Sequence, residues 1–429
     1  MFGFANFLLL ALFTAAVFDL IFALARGGGL RGALHGLWNT PHLLFGQQLA
    51  EWRLQIGRIL FAAGLAAYEI SVVFCNSMAR QNWAWVQGVM SPVLERLAFL
   101  CFGAKILFGT RYTWRELLAG GALYFIARWV YFNSQNIWWI GIVVAVLAAK
   151  DVPLRRPLQV YFASGCAAMA VVLALHFAGI VAPDLTSERM GALRGTYGYG
   201  HPNTFGGLVF GLVLAYALLR AQKVRWVDCL LVFAVGVFLL VGPVSRSAAL
   251  CTLALAVGLV FCRLRAGHSV PRWWPGTCAG MVGLTAAVSY LLPLLVIKVG
   301  PWNNDIGPAW LAKLDSLLTC RISLTWMAYR LLDVKIAGQV FNWPTVDNSF
   351  AFALFQFGPV VAALLGILFA AALWGHAKQG RRVEVCCLFA MLAYAYMEVQ
   401  PFHLTTNPTA LLLCGAVFAQ TSARWQKIE

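Results

Sequence analysis

Arg194, Arg246 and Arg321 each stand beside long apolar runs, in the stretches RGTYGYGHPNTFG, GPVSRSA and LLTCRISLTW, and Arg189 lies just before the first of them. A guanidinium is a permanent cation with a planar fork of donors, so these residues suit a phosphate group held by paired hydrogen bonds. The simpler use of any one of them is to anchor a helix end to lipid headgroups. The first stretch carries more than a cation. Pro202 fits the first position of a helix, where its missing N–H costs nothing. Gly198 and Gly200 let backbone approach a ligand closely. Asn203 sits on the opening turn, where free N–H groups and the positive dipole end favour an anion. His201 beside it suits a loop hydrogen bond, a donor to phosphate or a proton shuttle near neutral pH. His403, in EVQPFHLTTNP, is a weaker version of the same case.

Three further helix starts carry polar residues: Ser245, Asp347-Asn348-Ser349 and Thr406-Asn407-Pro408. Ser, Thr, Asp and Asn are the preferred N-caps, and capping is the plain reading for Ser245 and Thr406. For Asp347 capping and chemistry are evenly matched. No D-x-D pair, HExxH, Walker A or GxSxG motif occurs, so neither a metal site nor any cofactor is expected. Without a metal, stabilisation of a phosphate leaving group falls to the arginines.

The elements that position these residues follow from composition. The chain has 429 residues, is 61% hydrophobic and carries 11% charged residues, too few to cover a soluble surface. Apolar runs fall near 2–25, 56–74, 88–109, 116–132, 136–149, 157–180, 203–219, 226–243, 247–262, 279–298, 349–375, 383–397 and 407–420. They predict an all-α, polytopic transmembrane bundle of about 12–13 spans, forming a single integral-membrane domain over 1–429 with the lipid bilayer as its solvent. The first run lacks a basic stretch before it and a cleavage site, so it is expected as a retained helix. Eleven cysteines scattered through apolar runs read as small hydrophobes.

Lys105, Arg111, Arg115, Lys150, Arg155, Arg156, Arg220, Lys223, Arg225, Arg263, Arg265, Arg272, Lys378, Arg381, Arg382, Arg424 and Lys427 fall in alternate connections, which are therefore expected on the cytoplasmic side. The net charge of +16 is then a topology signal, and no nucleic-acid partner is needed. The stretch 181–203, Gly242 to Ser247, the loop 299–348 and the segment 397–407 are expected on the external face. Within the loop, AWLAKLDSLLTCRISLTWMAYRLLD has the apolar spacing of an amphipathic helix or helix pair. Charges inside predicted spans, Glu69, Glu95 and Arg128 among them, are expected either to pair, Glu69 or Glu95 with Arg128, or to line a lipid groove.

In order, YGYGHPNTFG, VSRSA, LLTCRISLTWMAYRLLDVKIAGQ and VDNSFAFALFQFGPV resemble the O-antigen polymerase and O-antigen ligase superfamily, and most closely the polymerases of capsular and exopolysaccharide repeat units. The resemblance runs over roughly residues 100–415. It implies a glycosyltransferase of GT-C-like helical fold in the bacterial cytoplasmic (inner) membrane, acting on its external face on glycans carried by undecaprenyl pyrophosphate. Metal and cofactor are not required, and a chain-length regulator and a flippase are the expected protein partners. Arg246 and Arg321 match the family's pyrophosphate arginines, and Asp347 matches the position implicated in activating the acceptor hydroxyl, where many ligases carry histidine. Arg189, Arg194, Asn203, Asn348 and His403 are candidate substrate-binding residues, with His201 as the alternative base. Cys320 and Gln339 stand where the family commonly has glycine. The expected reaction is inverting polymerisation of repeat units. A ligase moving finished polymer to a lipid or protein acceptor uses the same parts, and a polysaccharide transporter or flippase is the reading from another class.

Overall fold

The computed structural model describes residues 2–25, 29–46, 48–181, 187–189, 192–296 and 308–418, and these are mostly helical with almost no sheet. The chain opens with α1 (Phe2–Ala25), α2 (Gly29–Asn39), α3 (Ala50–Cys75) and the single turn α4 (Ala79–Asn82). Then come α5 (Ser91–Phe108), α6 (Trp114–Ser134), α7 (Ile137–Ala148) and α8 (Arg155–Phe177). The middle of the chain forms α9 (Pro202–Leu219), α10 (Trp226–Val241), α11 (Arg246–Leu264) and α12 (Trp274–Leu291). The expected helix pair is α13 (Ala309–Leu317) and α14 (Arg321–Leu331). Last are α15 (Ser349–Phe352), α16 (Pro359–Lys378), α17 (Arg382–Met397) and α18 (Cys414–Val417), the final turn preceded by a 3₁₀ stretch at Pro408–Leu413. Two short ribbons, His42–Leu43 with Arg111–Tyr112 and Ser187–Arg189 with Ala192–Arg194, are the sheet among the described residues.

Seven described helices are long and apolar enough to cross a membrane: Asn6–Ala25 of α1, α3, α8, α9, α11, Trp274–Leu295 beginning with α12, and α16. The other expected spans are helical for stated reasons but do not meet that measure. Both α5 and α6 carry three charges each, Glu95, Arg96 and Lys105 on one and Arg115, Glu116 and Arg128 on the other. Helix α7 has only 12 residues. The run at 349–375 is broken, because a π-turn at Ala353–Phe357 ends in Gly358 before α16 starts afresh.

Burial sorts the helices into layers. Every residue of α7 from Trp139 to Ala148 is buried, as its all-round apolar sequence requires, and α9 is buried over most of its length. By contrast α1, α12 and α16 expose Phe13, Ile21, Leu284, Leu291 and Ile367 outward. Apolar faces of that extent fit hydrocarbon and not water.

The charges within spans pair differently from expectation. Arg128 donates to Asn6 Oδ1 at 2.9 Å and lies 4.6 Å over the Phe132 ring, whereas Glu69 is buried against Gly165 of α8. Lys105 and Lys150, two of the charges expected on the cytoplasmic side, are both buried. Lys150 pairs with Glu116 at 3.2 Å and Asp151 at 3.5 Å, and Lys105 donates to Thr110 Oγ1 at 2.7 Å. A buried ammonium needs such partners.

Candidate functional site at the Arg321 end of the bundle

The N-terminal ends of α9, α11, α14 and α15 and the C-terminal end of α17 meet at one end of the bundle. Each brings a polar residue from a separate stretch of sequence. Pro202 opens α9, and His201 Nδ1 accepts the Asn203 N–H at 3.1 Å as the N-cap. Asn203 is thereby fixed on the first turn. Its Oδ1 accepts from Arg194 Nη2 at 2.9 Å and its Nδ2 donates to Glu398 Oε1 at 3.0 Å. Gln400 Nε2 donates to the Asn203 carbonyl at 3.2 Å while its Oε1 accepts from Tyr394 at 2.9 Å. That crossing needs Gly207, since a Cβ there would lie 1.8 Å from Gln400 Oε1.

Arg321 is the centre of the cluster and is 7% exposed. Its Nη2 donates to Glu398 Oε1 at 2.6 Å and to Ser247 Oγ at 3.2 Å, Nη1 donates to the Leu318 carbonyl at 2.8 Å, and Nε donates to the Met397 carbonyl. Asp315, fully buried on α13, accepts the Ile322 and Ser323 N–H groups at 2.8 and 3.0 Å. It thus caps α14 and sets where Arg321 emerges. Thr319 and Cys320 make the tight link with φ of 61° and 62°. Cys320 occupies a left-handed position that glycine would hold without strain.

Arg246 is the first residue of α11, next to the Ser247 that Arg321 reaches. Ser245 is the N-cap by position but makes no side-chain cap bond, and its hydroxyl packs on Gly206 instead. At the last mouth Asn407, and not Thr406, is the cap, accepting from Ala410 N–H at 3.1 Å, while Thr406 donates to the His403 carbonyl at 3.1 Å.

Asn348 and Asp347 divide the start of α15 between them. Asn348 Oδ1 accepts the Phe350 and Ala351 N–H groups at 2.9 and 3.1 Å, and Nδ2 donates to Ser289 Oγ at 3.1 Å. These bonds fix Asn348 as the cap of α15 and tie it to α12. Asp347 does not cap, so capping does not explain it. It is half-buried and near enough to Glu398 for their charges to repel.

Glu398, at the end of α17 and 5% exposed, is the residue sequence reasoning missed. Burial lifts its carboxyl above the ordinary carboxylate range, Arg321 pulls the other way and Asp347 adds to the rise. The signal was present: an acidic residue ending an apolar run, in the segment MEVQPFH that holds no lysine or arginine. His403 is brought to a different place. Its ring packs 3.7 Å from Trp138 and desolvation pushes its pKa down to about 3, so it stays neutral and belongs to an aromatic wall. His201 is exposed and joins through Asn203. The Arg189 side chain, residues 299–307 of the loop, Arg424 and Lys427 lie outside the described residues.

An apolar cavity of about 90 Å³ borders the cluster, lined by Trp139, Tyr290, Phe350, Phe369, Phe402 and Ser349 among others. Ser349 joins the two regions, because its hydroxyl donates to the Glu398 carbonyl at 2.6 Å. Chemically the site offers a desolvated guanidinium with a bound carboxylate, a second carboxylate at its edge and an apolar slot beside them. Among the described residues no group of His, Cys, Asp and Glu side chains is arranged to hold a metal ion. No family model, no curated protein and no solved structure matches the chain.

Proposed function

We propose that the chain is an integral-membrane glycosyltransferase of GT-C-like fold that polymerises polysaccharide repeat units on the external face of the bacterial cytoplasmic membrane. In this reading further helices beside the seven also span, and the Arg321 end faces outward. The donor is a glycan on undecaprenyl pyrophosphate and the acceptor is a sugar hydroxyl of another lipid-linked unit. The observation that carries the reading is the convergence of Arg194, Asn203, Arg321 and Glu398, with Arg246 and Asp347 beside them, on one cluster next to an apolar cavity.

Arg321, with Arg246 and Arg194, would hold the pyrophosphate as negative charge grows on it during bond breaking. Asp347 would take the proton of the attacking hydroxyl, since it is the carboxylate that neither caps a helix nor is bound to Arg321. The hydroxyl oxygen bonds to the anomeric carbon from the face opposite the leaving group, the bond from that carbon to the pyrophosphate oxygen breaks, and configuration inverts. Glu398 acts as a positioning residue that aims Arg321 and Asn203. The lipid chain would run along the apolar side. Arg321→Ala and Asp347→Asn test the assignment: polymer should vanish in both variants while membrane insertion is unchanged. Polymer of ordinary length in either variant contradicts the role of that residue.

A further inference from the structure

The opposite end of the bundle holds a second polar feature that the reaction does not use. The C-terminal ends of α9 and α11 and the N-terminal end of α17 enclose a cleft of about 360 Å³, lined by Lys223, Arg263, Arg381, Arg382 and Glu384. A second cleft of about 260 Å³ shares Lys223, Arg381 and Glu384 and extends to Arg155 of α8 and Arg220. Six basic side chains therefore face one acidic one. Arg220 is balanced by Asp228 at 3.1 Å, and Arg382 Nη1 donates to the Arg265 carbonyl at 2.6 Å. Arg155, Lys223, Arg263 and Arg381 form no ion pair with the other described residues.

Topology alone places basic residues at helix ends on one side of a membrane. It does not require charges from four connections to converge on a concavity. Five arginines and a lysine around the two clefts suit phosphate oxygens, because guanidinium forks bind them bidentately. The second cleft is also lined by Leu154, Leu158, Leu218 and Leu412, and exposed Leu264 and Phe261 continue the surface beside Arg263. Cationic side chains next to apolar ones fit a headgroup whose acyl chains lie along the helices.

We infer that this cleft binds the phosphate of an anionic phospholipid headgroup at the end of the bundle away from Arg321. Native mass spectrometry of the purified full-length protein, with cardiolipin or phosphatidylethanolamine added to the detergent, tests it. Cardiolipin should remain bound where phosphatidylethanolamine does not. Retention should fall at least about tenfold in the double variant Arg263→Gln/Arg381→Gln, and by a smaller factor in Lys223→Gln, which changes only an exposed turn. Arg272→Gln, outside the cleft, should leave retention unchanged. Equal retention of the two lipids, or cardiolipin retention indifferent to the cleft variants, overturns the inference. Inorganic phosphate displacing cardiolipin, or stabilising the protein against heating as strongly as the lipid does, would overturn the lipid source and assign the site to a soluble phosphate compound.

Discussion

Arg321 and Glu398 form a buried ion pair whose charges are held by donors and acceptors from four segments. Removing Arg321 from such a pair would leave the buried carboxylate uncompensated and cost about 3–5 kcal/mol. Glu398→Gln keeps the shape and removes the charge that aims Arg321, so it should reduce polymer formation severely while the protein still inserts. Unchanged polymer in that variant would remove Glu398 from the site. The pH dependence has a fixed sign. Because the folded-state pKa of Glu398 is raised, the folded protein binds that proton more tightly than the unfolded chain does. Its contribution to stability is greatest with the proton on and falls as pH rises from the ordinary carboxylate range through the raised value. Activity runs the other way, since Arg321 loses its counter-charge as pH falls through that value. The acid limb of polymer formation should therefore lie above the ordinary carboxylate range, and the residual activity of Glu398→Gln should lack it. A limb within or below that range, or one retained in the variant, would detach it from Glu398. Arg194, Arg246 and Arg321 were legible as cations at helix mouths, but the partner of Arg321 was not. A partner 77 positions away leaves no local spacing to read.

At the scale of elements, the loop carrying Asp347 is locked to the break before α16. A Cβ on Gly338 would lie 2.0 Å from the Gln356 carbonyl oxygen, and one on Gly358 would lie 2.1 Å from that of Ile336. Both have positive φ, 74° and 86°. Gly338→Ala should thus shift the loop and cost about 1–3 kcal/mol, with loss of polymer exceeding that of an exposed control such as Gly280→Ala. Equal activity in the two variants would show that the interlock does not position Asp347. Asp315→Ala should free two N–H groups at the start of α14 and cost about 1–2 kcal/mol, read as a lower melting temperature with reduced polymer. The helix pair α13 and α14 was legible from apolar spacing in the sequence. The break at Gly358 is marked in the sequence by the Gly358-Pro359 pair, which averaged hydropathy over 349–375 passes over because it reports burial and not hydrogen-bond register.

Taken whole, the molecule has a polar cluster at one end of α9, α11 and α17 and a basic cleft at the other. That polarity was visible in the alternation of basic and non-basic connections. The number of long apolar helices was not, since α5, α6, α7 and α17 are charged, short or both and are read as spans only by averaged hydropathy. Cys320 is exposed at the Arg321 end, so a membrane-impermeant thiol reagent should label it in intact cells, and Cys320→Ser should remove the label. A cysteine placed at Gln222 should react only after permeabilisation. The opposite pattern would invert the topology and put the candidate site on the cytoplasmic side.

The most direct measurement is mass spectrometry of the lipid-linked glycans that accumulate when the gene is deleted in its host, with the side of the membrane they occupy determined. A polymerase predicts single repeat units on undecaprenyl pyrophosphate, trapped on the external face and cleared by the wild-type gene but not by Arg321→Ala. Finished polymers on the same carrier would make the protein a ligase. Single units trapped on the cytoplasmic side would contradict the account and make it a flippase.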